Sequence, residues 1–155
     1  MKIRLTVCTA FLLALTLMAG CGEDENLTNI DEGMKAIENM EYDPALEAFA
    51  KAEEAGENER LISRGRGLAY MGLTMYDRAI EAFKECLSAS DGSVQDIDFD
   101  VNYYMATAYL KMGDPAEAEA TYDAILGLRS DETDAFYLRG VARLNQDNYI
   151  GAKND

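Results

Sequence analysis

Six side chains hold most of the chemical potential of this sequence: the thiols of Cys8, Cys21 and Cys86, and the alternating carboxylates of Asp96, Asp98 and Asp100. The three acids are spaced like the opening of a calcium loop. Such a loop then needs a glycine where Val101 stands and a glutamate where Thr107 stands, so the pattern fails. The acids read instead as a solvated loop with a helix cap. The thiols are far apart and show no CxxC pairing, which leaves neither a zinc knuckle nor a dithiol redox pair. Histidine is absent, and with it the commonest general base, the commonest metal ligand and any histidine-dependent triad. No nucleophile can be matched to a base by pattern. The sequence therefore points away from an enzyme, and it calls for no catalytic residue, no metal and no cofactor.

Cys21 stands apart because of what precedes it. Lys2 and Arg4 make a basic start, and residues 5–18 form an apolar run broken only by threonine and cysteine. The run is too short to span a bilayer comfortably and has the layout of a secretory signal. It ends in Leu17, Met18, Ala19, Gly20 and Cys21. That ending resembles the bacterial lipoprotein signal, in which small residues precede the cysteine that receives lipid. Met18 stands where that family more often has leucine. The resemblance implies that residues 1–20 are a signal peptide and that the Cys21 thiol takes a diacylglyceryl group. The protein would then be lipid-anchored on the extracytoplasmic face of a bacterial cell membrane or outer membrane. Cys8 would be discarded, residues 21–28 would serve as a polar tether, and Cys86 would remain as a packed core thiol.

Composition narrows the partners. With 155 residues, the chain suits one domain with a continuous core, and 48% hydrophobic content excludes bulk disorder. The net charge of −15 repels phosphate backbones and anionic headgroups, so nucleic acid is not an expected partner.

The elements that would position any site are announced by a repeat. Gly33 recurs as Gly67, Tyr42 as Tyr76, Asp43 as Asp77, Ala45 as Ala79 and Phe49 as Phe83, each pair 34 residues apart. This spacing, and its partner matches Ala106, Tyr109, Ala118 and Tyr122, resembles the tetratricopeptide repeat family. The resemblance implies an all-α helix–turn–helix solenoid of three repeats and a truncated fourth, within residues 29–155. The units would run about 26–59, 60–93, 99–132 and 133–155. Small residues would let paired helices approach, while Phe49, Phe83 and Tyr122 fill the space between units. Ala36 replaces the first aromatic of the first unit, and the usual first-helix tryptophan is replaced throughout by Asn29, Ser63, Asn102 and Phe136.

Caps agree with this register: Asp43 before Pro44 and Asp114 before Pro115 pair an N-cap acid with a first-turn proline, and Asp77 is a cap-like acid. Gly113 reads as a C-cap. Ala79 and Ala118 are five residues further apart than the period, which places a surface loop at residues 91–98. The fourth unit breaks off after Ala152. The expectation is an N-terminal portion of a longer repeat protein, with Val141, Leu144 and Ile150 exposed.

In this family the first helices line a concave groove that holds peptides or helices. The resemblance places Ile30, Met34 and Ile37 there, then Arg64, Leu68 and Met71, then Tyr103, Thr107 and Leu110, then Tyr137, Val141 and Leu144. Ile37 and Leu110 also suit inter-helix core. The family's clamp for a C-terminal carboxylate is missing, because Ile30 and Met34 occupy its lysine and asparagine positions. What remains is an apolar groove with Arg64 as its main charge. The function this implies is docking of a protein or peptide segment at the cell envelope. The alternative is capture of a small nutrient or glycan, with Tyr103 and Tyr137 as stacking platforms.

Overall fold

A computed structural model describes residues 27–155. Cys21, the signal segment 1–20 and most of the tether lie outside the described residues. Within them the chain forms eight helices and no strand: α1 (Asn29–Glu38), α2 (Tyr42–Glu54), α3 (Glu59–Gly72), α4 (Tyr76–Ser88), α5 (Asp96–Met112), α6 (Pro115–Leu128), α7 (Thr133–Leu144) and α8 (Tyr149–Asn154). Each helix packs on the next, and the first helices of the opening units also touch, α1 on α3 and α3 on α5. This is the all-α helix–turn–helix solenoid.

All four turns inside the units are built alike. The chain reverses through one left-handed residue: Met40 (φ 60°), Thr74 (φ 59°), Gly113 (φ 80°) and Asp147 (φ 58°). The next backbone N–H then reaches back five residues, Glu41 to the Ala36 carbonyl at 2.8 Å and Met75 to Tyr70, Asp114 to Tyr109 and Asn148 to Arg143 at 2.9 Å. These bonds satisfy carbonyls that a helix end leaves orphaned. Only the third turn uses glycine.

The turn geometry corrects two of the expected caps. It starts α2 at Tyr42 and α4 at Tyr76, so Glu41 and Met75 occupy the cap positions and make no side-chain cap bond. Asp43 and Asp77 sit one residue inside their first turns, where their charge faces the positive end of the helix dipole. Asp114 does cap α6, accepting the Glu117 N–H at 3.3 Å, with Pro115 at the first helical position.

The core is a row of three clusters, each made where the second helix of one unit meets the first helix of the next. Phe49, Phe83 and Tyr122 are fully buried at their centres. Phe49 lies between two glycines: a β-carbon on Gly33 would stand 2.6 Å from its ring, and one on Gly65 closer still. Phe83 abuts Gly67 in the same way and stacks on Tyr104, ring centroids 6.0 Å apart. Cys86 is completely enclosed, and that burial raises its thiol pKa. It is packing material rather than a nucleophile.

The two ends of the stack differ. Ile62 and Ala69 of α3, Val101 and Ala108 of α5, and Ala135 and Ala142 of α7 form buried stripes facing the preceding unit. The corresponding positions of the first unit are Thr28, at the cap of α1, and Lys35, both exposed. At the other end Tyr137, Leu144, Tyr149 and Ile150 are exposed.

Candidate functional site

The expected groove residues divide by burial. Ile30, Met34 and Ile37 are half-buried against the first core cluster, Leu68 and Met71 against the second, and Tyr103 and Leu110 against the third. These side chains hold the first helices to the core. Thr107 spends its hydroxyl on its own helix, donating to the Tyr103 carbonyl at 2.9 Å. Val141 is half-buried, and Tyr137 stands 70% exposed, the most open of the predicted positions.

Arg64, which the sequence offered as the main charge of the site, is paired. Its Nε donates to Asp100 Oδ2 at 2.8 Å, and its Nη2 bonds the same oxygen. The reason is the start of α5. Residues 96–98, expected in a solvated loop, form the first turn of that helix, with Gln95 and Asp98 making a capping box. Helical spacing sends Asp96 and Asp100 to one face and Asp98 to the other. Asp98 is buried and pairs with Arg60, while Asp100 meets Arg64 and Asp96 meets Arg129, the last at 2.7 Å.

The result is a pocket of about 620 Å³ between α3, α5 and the start of α7. Leu61, Arg64, Asp100 and Tyr103 line it from the first helices, with Asp96, Ile97 and Phe99 at the head of α5 and Arg129 and Glu132 before α7. Arg129 lies over the Phe99 ring at 3.7 Å and also bonds Glu132 Oε1 at 3.2 Å, so its guanidinium is fixed on three sides. The Tyr103 hydroxyl is enclosed. Burial, together with the nearby Glu132 and Asp134 carboxylates, raises its pKa and keeps it neutral.

A second pocket, of about 370 Å³, lies at the last unit and is lined by Phe136, Tyr137, Gly140, Val141, Leu144 and Ala152 among others. Beside it Arg143 links α7 to both neighbouring second helices, bonding Glu119 at 2.7 Å and Asp155 at 2.7 Å. Arg139 reaches the same Asp155 and also Asp123. The Arg139 guanidinium, with Arg143 beside it, holds the Asp155 carboxyl below the usual aspartate range.

Leu61, Asp96, Phe99, Arg129 and Glu132 line the same pocket as Arg64 and Tyr103, although sequence reasoning did not place them there. The available signal was the insertion itself. It lets α5 run 17 residues, longer than any other described helix, and the added N-terminal turn carries the acids.

Helix pairs of this size, stacked with small and aromatic residues in repeating register, match two family models described as tetratricopeptide repeat, over residues 30–94 and 70–143. The chain belongs to the tetratricopeptide repeat family. Similar solved structures of this repeat architecture include MamA of RS-1, an ArsTM double mutant, at 18% identity and a TM-score of 0.67, covering 79% of this chain and 66% of that one. A MamA point mutant is 20% identical with a TM-score of 0.64, covering 80% of this chain and 69% of that one. MamA of MSR-1 in a C2 form is 18% identical at 0.63, with 81% and 71% covered. This tetratricopeptide chain thus spans about two thirds of the length of the solved chains it matches, and at such identities the likeness concerns the fold. No curated protein matches the sequence.

Proposed function

We propose that this tetratricopeptide chain is a lipid-anchored scaffold of the bacterial cell envelope that docks a protein segment in its concave groove. The observation that carries the reading is the row of half-buried and exposed apolar side chains along successive first helices. It runs from Ile30 and Met34 through Leu61, Leu68 and Met71 to Tyr103, Tyr137 and Val141. A row of that length suits an extended or helical segment, read by side chains at regular intervals. The rival reading, capture of a nutrient or glycan, asks Tyr103 and Tyr137 to act together, yet they line different pockets.

The anchor part of the reading rests on Cys21 and the residues before it. A tether of a few residues, at ~3.3–3.6 Å each, would keep the solenoid close to the bilayer. Membrane fractionation of the Cys21→Ala variant tests it: release from membranes or an uncleaved signal is expected, and normal processing with full membrane retention would refute it.

Docking is tested by placing a photo-crosslinking residue at Tyr137 or Leu61 in the groove and at Glu81 on a second helix. A discrete adduct is expected from the groove positions alone. Equal labelling from Glu81, or no adduct at any position, would refute the docking reading.

A further inference from the structure

We propose that the part of the groove between α3, α5 and α7 takes a lysine or arginine side chain of the docked segment. This rests on the docking reading and adds the chemistry of what is docked. Two guanidiniums, Arg64 and Arg129, face three carboxylates, Asp96, Asp100 and Glu132, in one pocket. Each guanidinium is already engaged, Arg64 by Asp100 and Arg129 by Asp96, Glu132 and the Phe99 ring.

The carboxylates are not saturated. Among the described residues Asp96 accepts through Oδ1, Asp100 through Oδ2 and Glu132 through Oε1. Their second oxygens, Asp96 Oδ2, Asp100 Oδ1 and Glu132 Oε2, are left as acceptors. A carboxylate has about four lone-pair sites, so an incoming cation need not break the existing pairs.

An anionic ligand would find its natural partners occupied and a surplus of negative charge. A cationic head finds open acceptors in the same pocket. Lysine brings three donors and arginine five in a planar fork, either of which suits acceptors on several sides. The wall beneath is apolar, with Leu61 at 42% exposure beside Ile97, Phe99 and Tyr103. It can cover the methylene stem while the charged head meets the acids. The net charge of −15 raises the encounter rate with such a segment.

The test uses the purified full chain and three fluorescein-labelled 16-residue helical peptides of alanine, leucine and glutamine. One carries two lysines, one carries norleucine at those positions and one carries glutamate. Fluorescence anisotropy at physiological salt should rank the lysine peptide tightest. Asp96→Asn with Glu132→Gln should weaken it by roughly three- to ten-fold, the effect of two partly exposed charge contacts. Asp100 is left in place so that Arg64 stays paired. Each change is also made singly, because either one alone leaves Arg129 a carboxylate partner and should still weaken binding. Glu47→Gln with Glu81→Gln removes as much charge from the exposed faces of the second helices, and that variant should bind as the wild type does.

Equal loss from the two double variants would overturn the proposal, since attraction would then follow bulk charge. Tight binding of the norleucine peptide, blocked by a bulky residue at Tyr137 and indifferent to Asp96 and Glu132, would also overturn it while leaving groove docking intact. Failure of every peptide to bind in the groove would overturn both.

Discussion

Asp98, in the first turn of α5, holds Arg60, in the first turn of α3, through an ion pair in which the two side chains are 12% and 11% exposed. Arg60 also donates from Nη1 to Gln95 Oε1 at 3.0 Å and from Nε to the Cys86 carbonyl at 3.3 Å. One guanidinium thus fastens the end of α4, the inserted segment and the start of α5 to α3. Its donors are satisfied on several sides, which is the condition under which a charge tolerates burial.

Removing one member of that pair leaves the other buried and uncompensated. Asp98→Asn should cost about 3–5 kcal/mol of stability in urea denaturation. Arg60→Met combined with Asp98→Leu should recover most of the loss. Asp100→Asn, whose pair with Arg64 is more exposed, should cost no more than about 1 kcal/mol.

The left-handed turns carry strain that glycine would relieve. Outside glycine this backbone region costs about 1–2 kcal/mol, and a β-branched residue is among the worst suited to it. Thr74→Gly should therefore stabilise the protein by about 1 kcal/mol and Met40→Gly by somewhat less. Asp147→Gly should do least, since aspartate tolerates the region and Asp147 accepts the Tyr149 hydroxyl at 2.8 Å. Thermal melts of the three variants would check the order.

Close approach around Phe49 predicts the opposite sign for a gain of volume. Gly65→Ala ought to improve helix propensity by about 1 kcal/mol. The new methyl would meet the Phe49 ring, so a net loss of about 1–2 kcal/mol is expected. Phe49→Leu should lessen the penalty in the double variant. Ala45→Leu and Ala79→Leu, at fully buried positions, should each destabilise by about 1–3 kcal/mol.

Acid should loosen the last unit through Arg143. The hydrogen bond from Arg143 holds the Glu119 carboxyl below its ordinary value of 4.5. A carboxyl with a depressed folded pKa contributes stability above its unfolded pKa and loses it as pH falls through the folded one. Glu119→Gln should thus be less stable than wild type at pH 7 by about 0.5–1 kcal/mol. That gap should close as pH drops below 4.5, and denaturation curves at pH 7, 5 and 3.5 would show it.

Much of the fold was legible because stacking repeats one packing problem. Each junction needs a small residue opposite an aromatic, so Gly33 with Phe49 and Gly67 with Phe83 recur at the same spacing. The candidate site was legible in part. Family register placed Ile30, Met34, Leu68, Met71, Tyr103 and Tyr137 on first helices, but register says nothing about exposure, and most of these double as core. Gly65 went unread because its partner Phe49 lies in the preceding unit, outside the pair that the period compares.

By itself, the sequence determined the helical period, the sites of close packing, the excess of negative charge and the position of Cys21 behind its apolar run. Those are properties of residue type and of separations within a unit or between identical units. Only the tertiary structure decided which charges cancel. Arg60 and Asp98 are 38 residues apart, and Arg64 and Asp100 are 36 apart. They meet because α5 stacks beside α3 with its added N-terminal turn. The three left-handed turns without glycine, at Met40, Thr74 and Asp147, were decided there as well. Helices packed on both sides of a turn dictate its path more strongly than the preference of the single residue that makes it.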